Sequence, residues 1–180
     1  TNAIRICETK NINFDVLDYS DTDAISGMEV ATVLNENPEE VFKTLVTVGK
    51  TGNHYVFLVP VNSELDLKKA AESVNEKNVE MIKSKELLPL TGYIHGGCSP
   101  VGMKKQFKTF IDETALLMDT FCISGGKIGV TIELKAQDLA KILEDSKKVG
   151  LVLQRHYHPG AMHTVNSILY ITYPAMVEGT

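Results

Sequence analysis

Cysteine is scarce in this sequence: three residues, Cys7, Cys98 and Cys122, an odd number at wide spacing with no CxxC pair. That arrangement leaves no disulfide framework and no zinc motif of ordinary spacing, so a reduced cytoplasmic protein without a metal is expected. Apolar runs are short as well. None approaches the roughly 18 residues that would signal a membrane span, and no membrane partner is expected. The first residues, Thr1-Asn2-Ala3-Ile4-Arg5, lack a charged leader followed by an apolar core, so no secretory signal is expected. Without an initiator methionine, the chain reads as processed or trimmed. Cations are outnumbered, 18 Lys and Arg against 23 Asp and Glu, for a formal charge of −5. Bulk electrostatics of that sign do not coat nucleic acid, and no DNA partner is expected. A local basic patch can still meet a tRNA, because phosphate contact depends on where the lysines sit. Neither GxGxxG nor GxxxxGK[ST] occurs, so a nucleotide cofactor is unsupported and none is expected.

What is present is globular composition. The 180 residues are 43% hydrophobic and 23% charged, enough for one ordinary domain with its own core. Asn2 is a candidate cap for a helix over 2–11, and 14–19 reads as a strand. Ser26 and Glu29 form a capping box before the apolar face of Val30, Val33 and Leu34. Asn37-Pro38-Glu39-Glu40 starts a short helix with proline at its first position. Two β-rich runs, 44–48 and 55–61, flank the turn residues 49–53 and predict a hairpin. From Asp66 the period becomes helical, with Leu67, Ala70, Ala71 and Val74 on one face. A brief strand at 79–82 and a short helix at 84–88 precede a glycine- and proline-rich loop, 92–102. Strands follow at 109–111 and 121–123, flanking a helical turn near Leu116. Ser124-Gly125-Gly126-Lys127-Ile128-Gly129 reads as a glycine turn before an alternating strand at 130–134, and 137–144 as an amphipathic helix.

Composition shifts after Lys148. Beyond it the only charges are Arg155 and Glu178, yet three of the five histidines and three of the six tyrosines lie there. The run Ile168-Leu169-Tyr170-Ile171-Thr172-Tyr173 suits an added strand and equally a non-native tail. The expected division is therefore residues 1–148 as the functional domain and 149–180 as an extension. His156, His158 and His163 have metal-like spacing but fall in that extension.

Three constellations carry chemistry. Lys43-Thr44 stands where a helix gives way to a β-rich run; a lysine there is ordinarily just a solvated charge. Gly96-Gly97-Cys98-Ser99-Pro100-Val101-Gly102 can aim backbone amides at an anion or a carbonyl oxygen, although a sharp turn alone would use the same residues. Ser124-Gly125-Gly126 carries the same ambiguity. Cys98 has no histidine beside it to activate a thiolate and is not expected to be a nucleophile. Cys7 and Cys122 sit in apolar periodic runs and read as core. Lys104, Lys105 and Lys108 would ordinarily be a solvated face; beside the glycine loop they are candidate phosphate contacts.

The order of these pieces resembles the YbaK/EbsC family of trans-editing proteins. The resemblance rests on Val41-Phe42-Lys43-Thr44-Leu45, Pro60-Val61, Leu65-Asp66-Leu67-Lys68-Lys69 and Val79-Glu80-Met81. It continues through Thr91-Gly92-Tyr93, the loop 96–102 with Lys104-Lys105, Ile111-Asp112, Ser124-Gly125-Gly126-Lys127, Ile132-Glu133-Leu134 and 138–143. It spans roughly residues 2–146. One departure is Cys98, which stands where a small aliphatic residue is expected.

The resemblance implies an α+β fold with a mixed, mostly antiparallel, barrel-like sheet surrounded by helices, related to the editing domain of prolyl-tRNA synthetases. It implies deacylation of mischarged proline tRNA, with cysteine as the amino acid removed, and prolyl-tRNA synthetase as the candidate protein partner. The essential lysine maps onto Lys43. Tyr19, Thr44, the loop residues Gly97, Cys98, Ser99 and Pro100, and Ser124, Gly125 and Gly126 map onto the aminoacyl pocket. Cysteine and proline are close in volume, so a synthetase pocket rejects cysteine poorly by size and a second site is needed. The family is similar in lacking a conventional nucleophile, which implies that the substrate's own thiol attacks. Such a release is formally a lyase reaction rather than a hydrolysis. A non-catalytic tRNA-binding or regulatory module, and a deacylase for alanine, are the rival expectations.

Overall fold

The computed structural model describes residues 1–144 in full and, beyond them, the backbone of Val152–Leu153, Met162–Val165 and Ile168–Ile171. Helix α1 (Asn2–Thr9) is capped by Thr1 rather than by Asn2, because the Thr1 hydroxyl both accepts from the Ile4 N–H and donates to the Gly125 carbonyl. Strand β1 (Phe14–Asp18) leads to helix α2 (Gly27–Val33), where both halves of the Ser26/Glu29 capping box form. Asn37 caps a single 3₁₀ turn, Pro38–Glu40.

Strands β2 (Phe42–Gly49) and β3 (His54–Pro60) form the predicted hairpin, with Lys43 opposite Val59 and Thr47 opposite Tyr55. Helix α3 (Leu67–Ser73) starts on an Asp66 cap. Strand β4 (Val79–Met81) pairs with β2, and helix α4 (Ser84–Thr91) ends on Gly92 at φ +79°, a left-handed position that glycine takes without strain. Strand β5 (Lys108–Ile111) lies parallel to β3. A 3₁₀ segment, Glu113–Leu117, forms the helical turn predicted near Leu116. Then come β6 (Phe121–Lys127), β7 (Val130–Leu134) and α5 (Ala136–Glu144).

The predicted glycine turn after Ile123 is corrected here. Strand β6 runs on through Ser124, Gly125 and Gly126 to Lys127, and only Ile128 and Gly129 turn the chain. The β6–β7 register slips between Ser124 and Lys127, and Gly126 takes φ +97°. A bulge with glycine at positive φ thus absorbs what composition alone reads as a loop.

One sheet has the order β1-β7-β6, antiparallel throughout. The other has β4-β2-β3-β5, continued by β8 (Val152–Leu153), β10 (Ile168–Ile171) and β9 (Met162–Val165), with parallel and antiparallel pairs. The architecture is α+β with mixed sheets and surrounding helices. The sheets meet at a parallel bridge between Val41 and Cys122, beside an edge-to-face Phe42–Phe121 pair at 4.9 Å. Strand β3 is buried on both faces. Leu58 joins the main core with Ile123, Ile132, Leu139 and Leu143, while Phe57 and Val59 pack towards Ala70 and Ala71 of α3. Double burial explains its unbroken apolar run.

Ile168–Ile171 is a strand, the form that one of the two readings of that run takes; Thr172, Tyr173 and the boundary at 148/149 lie outside the described residues, as do His156, His158 and the His163 side chain. No helix among the described residues is long and apolar enough to cross a membrane.

Candidate active site

A cavity of about 460 Å³ opens where the first residues of β2 meet α2, the β4–α4 junction, the 92–102 loop and the β6–β7 ladder. The size falls in the range of about 300–1,000 Å³ usual for small-molecule sites. Its floor is apolar, with Val30, Val41, Val46, Val61, Leu87 and Ile123 contributing. The polar side chains that enter are few: Tyr19, Ser26, Lys43, Thr44, Ser84, His95, Ser124 and Thr131.

Of the residues singled out from sequence, Tyr19, Lys43, Thr44, Cys98 and Ser124 converge on this cavity from four separate stretches of chain. Lys43 reaches it from β2. Its ammonium lies 3.5 Å from a Glu64 carboxylate oxygen, and the two side chains are 25% and 79% exposed. So exposed a partner is a weak hold, worth under about 1 kcal/mol, and the ammonium is free to turn to a phosphate or ribose. Thr44 is the outstanding group: its hydroxyl oxygen is buried and, among the described residues, has no hydrogen-bond partner. A buried hydroxyl without a partner costs about 1–3 kcal/mol, so something absent from the free protein is a natural partner for it.

The glycines act differently from the expectation. Gly97, Ser99, Pro100, Gly125 and Gly126 do not line the cavity. A methyl group at Gly97 would stand 2.8 Å from Ile128 N and from Lys127 Cα and C, so Gly97 lets the 92–102 loop rest on the backbone of the β6–β7 turn. The two glycine segments are therefore one packed junction rather than two separate cradles. The Gly97 N–H is held by the Ile94 carbonyl at 3.0 Å, and the buried Ser99 hydroxyl accepts from Val101 N–H. Among the described residues no hydrogen bond holds the N–H of Gly96 or of Cys98, the two loop residues that line the cavity, so these are the loop amides left to meet a developing oxyanion. Ser124 faces the cavity while its hydroxyl accepts from the Gly126 N–H.

The Cys98 thiol is 8% exposed, and burial pushes its pKa up to about 11, partly offset by Thr91. A thiol so shielded stays protonated at neutral pH and is a poor nucleophile. Lys104, Lys105 and Lys108 are exposed and lie outside the cavity. Sequence reasoning missed His95, exposed at the cavity mouth, and the apolar rim of Ile25, Met28 and Met81. His95 directly precedes the paired glycines, and that adjacency is a signal the sequence carries. Ile25 stands just before the Ser26 cap, Met28 on α2 and Met81 at the end of β4, and nothing local connects the first two with the third.

Comparison with known proteins matches residues 22–142 to a family described as the aminoacyl-tRNA editing domain. The chain is 41% identical over 143 residues to EbsC of Enterococcus faecalis, a proposed Cys-tRNA(Pro)/Cys-tRNA(Cys) deacylase, covering 79% of this chain and 87% of that one. It is 31% identical over 101 residues to a proline–tRNA ligase of Kosmotoga olearia, 56% of this chain and 17% of the ligase. Among solved structures, a proposed trans-editing enzyme for prolyl tRNA synthetase superposes with a TM-score of 0.69 at 25% identity, over 80% of this chain and 93% of that one.

Proposed function

Because this chain belongs to the aminoacyl-tRNA editing domain family, we propose that it is a free-standing deacylase that releases cysteine from mischarged Cys-tRNA(Pro). The observation that carries the reading is the Lys43–Thr44 corner: a weakly held cation beside a buried, unpartnered hydroxyl at the mouth of an apolar cavity. Lys43 would hold the terminal ribose or phosphate and Thr44 a polar atom of the aminoacyl group. The apolar floor takes a small side chain and excludes water. An aminoacyl ester is already activated, so positioning and one or two oriented donors are a sufficient demand on the protein.

The cavity offers no activated nucleophile among the described residues, and the substrate brings its own. Its thiol sulfur attacks its carbonyl carbon, the C–S bond forms, and the ester C–O bond breaks. The Gly96 or Cys98 amide stabilises the oxyanion meanwhile. The thiol proton passes to the departing ribose oxygen, and a cyclic thioester leaves. A cytoplasmic setting, and delivery of the substrate by prolyl-tRNA synthetase, follow from this reading. A second reading has support in the name of the Enterococcus relative, which includes Cys-tRNA(Cys). Chemistry confined to the aminoacyl end would leave the tRNA body unread.

The test is single-turnover deacylation of Cys-tRNA and Ser-tRNA on the same proline tRNA at saturating enzyme. Serine is nearly isosteric but a far weaker nucleophile at neutral pH. Much faster loss of cysteine, with a trapped thioester product, is the expected outcome. Equal rates would make bound water the attacker, and no turnover of either would remove the deacylase reading.

A further inference from the structure

A second cluster lies away from the cavity. Cys122 on β6 and Glu133 on β7 are direct partners in the antiparallel ladder, so their side chains share one face of the sheet. Glu36, just past the end of α2, meets them there. The cysteine sulfur and one carboxylate oxygen from each glutamate all lie within 4.8 Å of one another. None of the three lines the cavity. Two glutamates alone would be a solvated acidic patch. Here the third member is the thiol of Cys122, a residue 1% exposed, and among the described residues that thiol makes no hydrogen bond and lies close to both carboxylates. Among the described residues no lysine or arginine pairs with Glu36 or Glu133.

We propose that Glu36, Cys122 and Glu133 bind one divalent ion of the zinc type, with one sulfur and two oxygen ligands and water in the fourth position. The donor set suits such an ion, since a thiolate selects against magnesium and calcium while carboxylates complete a zinc or cobalt site. Metal–ligand bonds of about 2.0–2.3 Å put tetrahedral donors roughly 3.5 Å apart, a distance that small side-chain rotations reach from the present spread. The Thr120 hydroxyl donates to Glu133 Oε1 at 2.6 Å, which fixes that carboxylate and leaves its other oxygen to coordinate. Glu36 and Glu133 are half-buried, so an ion can enter from solvent. The charges agree: two carboxylates and a thiol crowd one face of the sheet, with no lysine or arginine among the described residues paired to offset them. A dication replaces that mutual repulsion with attraction and takes the thiol as thiolate. It would also tie the end of α2, whose first residues form a cavity wall, to the strand that carries Ile123 and Ser124.

The experiment uses the full chain stripped with chelator. Zn²⁺ is titrated in competition with a chromophoric chelator, and Co²⁺ is added separately to read the thiolate-to-cobalt charge-transfer band. One equivalent of metal and a clear band are expected. Cys122→Ser should abolish the band, and Glu36→Gln and Glu133→Gln should each weaken affinity by about tenfold or more. Cys98→Ala and a His156→Ala/His158→Ala variant should keep both signals. If Cys122→Ser does not fold, the two glutamine variants decide the matter. Absence of stoichiometric binding, a band that survives in folded Cys122→Ser, or unchanged affinity in both glutamine variants would overturn the site. None of these readouts involves tRNA, so the result is independent of the deacylase reading.

Discussion

Lys43 and Thr44 are neighbours on β2 with opposite energetic characters, and substitution should separate them. The Lys43 ion pair is exposed on its partner's side, so Lys43→Ala should change stability by less than about 0.5 kcal/mol. Deacylation should nevertheless fall to background in a single-turnover assay; turnover near that of the unmodified chain would remove Lys43 from the mechanism. Thr44 is the converse case. Replacing it by valine keeps the shape and deletes a buried hydroxyl that has no partner, so the urea midpoint should rise, by about 1 kcal/mol in stability. The same change should lower kcat/KM by about tenfold, because the hydroxyl's partner is expected to be the substrate. Stability and activity both falling would mean the hydroxyl is satisfied in the free protein. The pair was legible in sequence as a lysine before a β-rich run. That the threonine hydroxyl is orphaned was not, because burial of one oxygen depends on what distant stretches of chain bring around it.

At the scale of elements, the 92–102 loop and the β6–β7 turn act as one unit through Gly97. A Cβ there would press at 2.8 Å on Lys127 and Ile128 backbone, which cannot give as a flexible side chain would. Gly97→Ala should therefore destabilise the protein by about 1–3 kcal/mol and, by lifting the Gly96 and Cys98 amides from their positions, depress turnover as well. Urea unfolding and single-turnover kinetics check both. An unchanged midpoint would mean that the two segments part without penalty. Local pattern predicts most elements here: the Ser26/Glu29 box, the β2–β3 hairpin and the helical period that begins at Asp66 all depend on residues a few positions apart. It fails at Ser124-Gly125-Gly126, where glycine composition signals a turn and pairing with β7 imposes a bulged strand. Propensity yields there to the hydrogen bonds of a partner strand.

For the whole molecule, a net charge of −5 means that tRNA is engaged through a patch or not at all. Lys104, Lys105 and Lys108 are exposed, and changing all three to alanine should raise KM while leaving the single-turnover rate at saturation intact. The dependence of log(kcat/KM) on log[salt] should flatten by about one unit for each lysine that had neutralised a phosphate. An unaltered salt slope would place the tRNA elsewhere. The amino-acid sequence by itself determined the helices and strands that local periodicity and caps encode, the absence of long apolar runs, and an ordered set of motifs that resembles one editing family. Only the tertiary structure decided which of those motifs share a cavity, that Gly97 packs rather than cradles, that His95 stands at the mouth, and that Glu36, Cys122 and Glu133 face one another. The physical reason is range. Capping, turns and alternation report on neighbours a few residues apart, whereas the cavity and the acidic cluster arise from strand register and from helices laid across sheets, which no short stretch of chain contains.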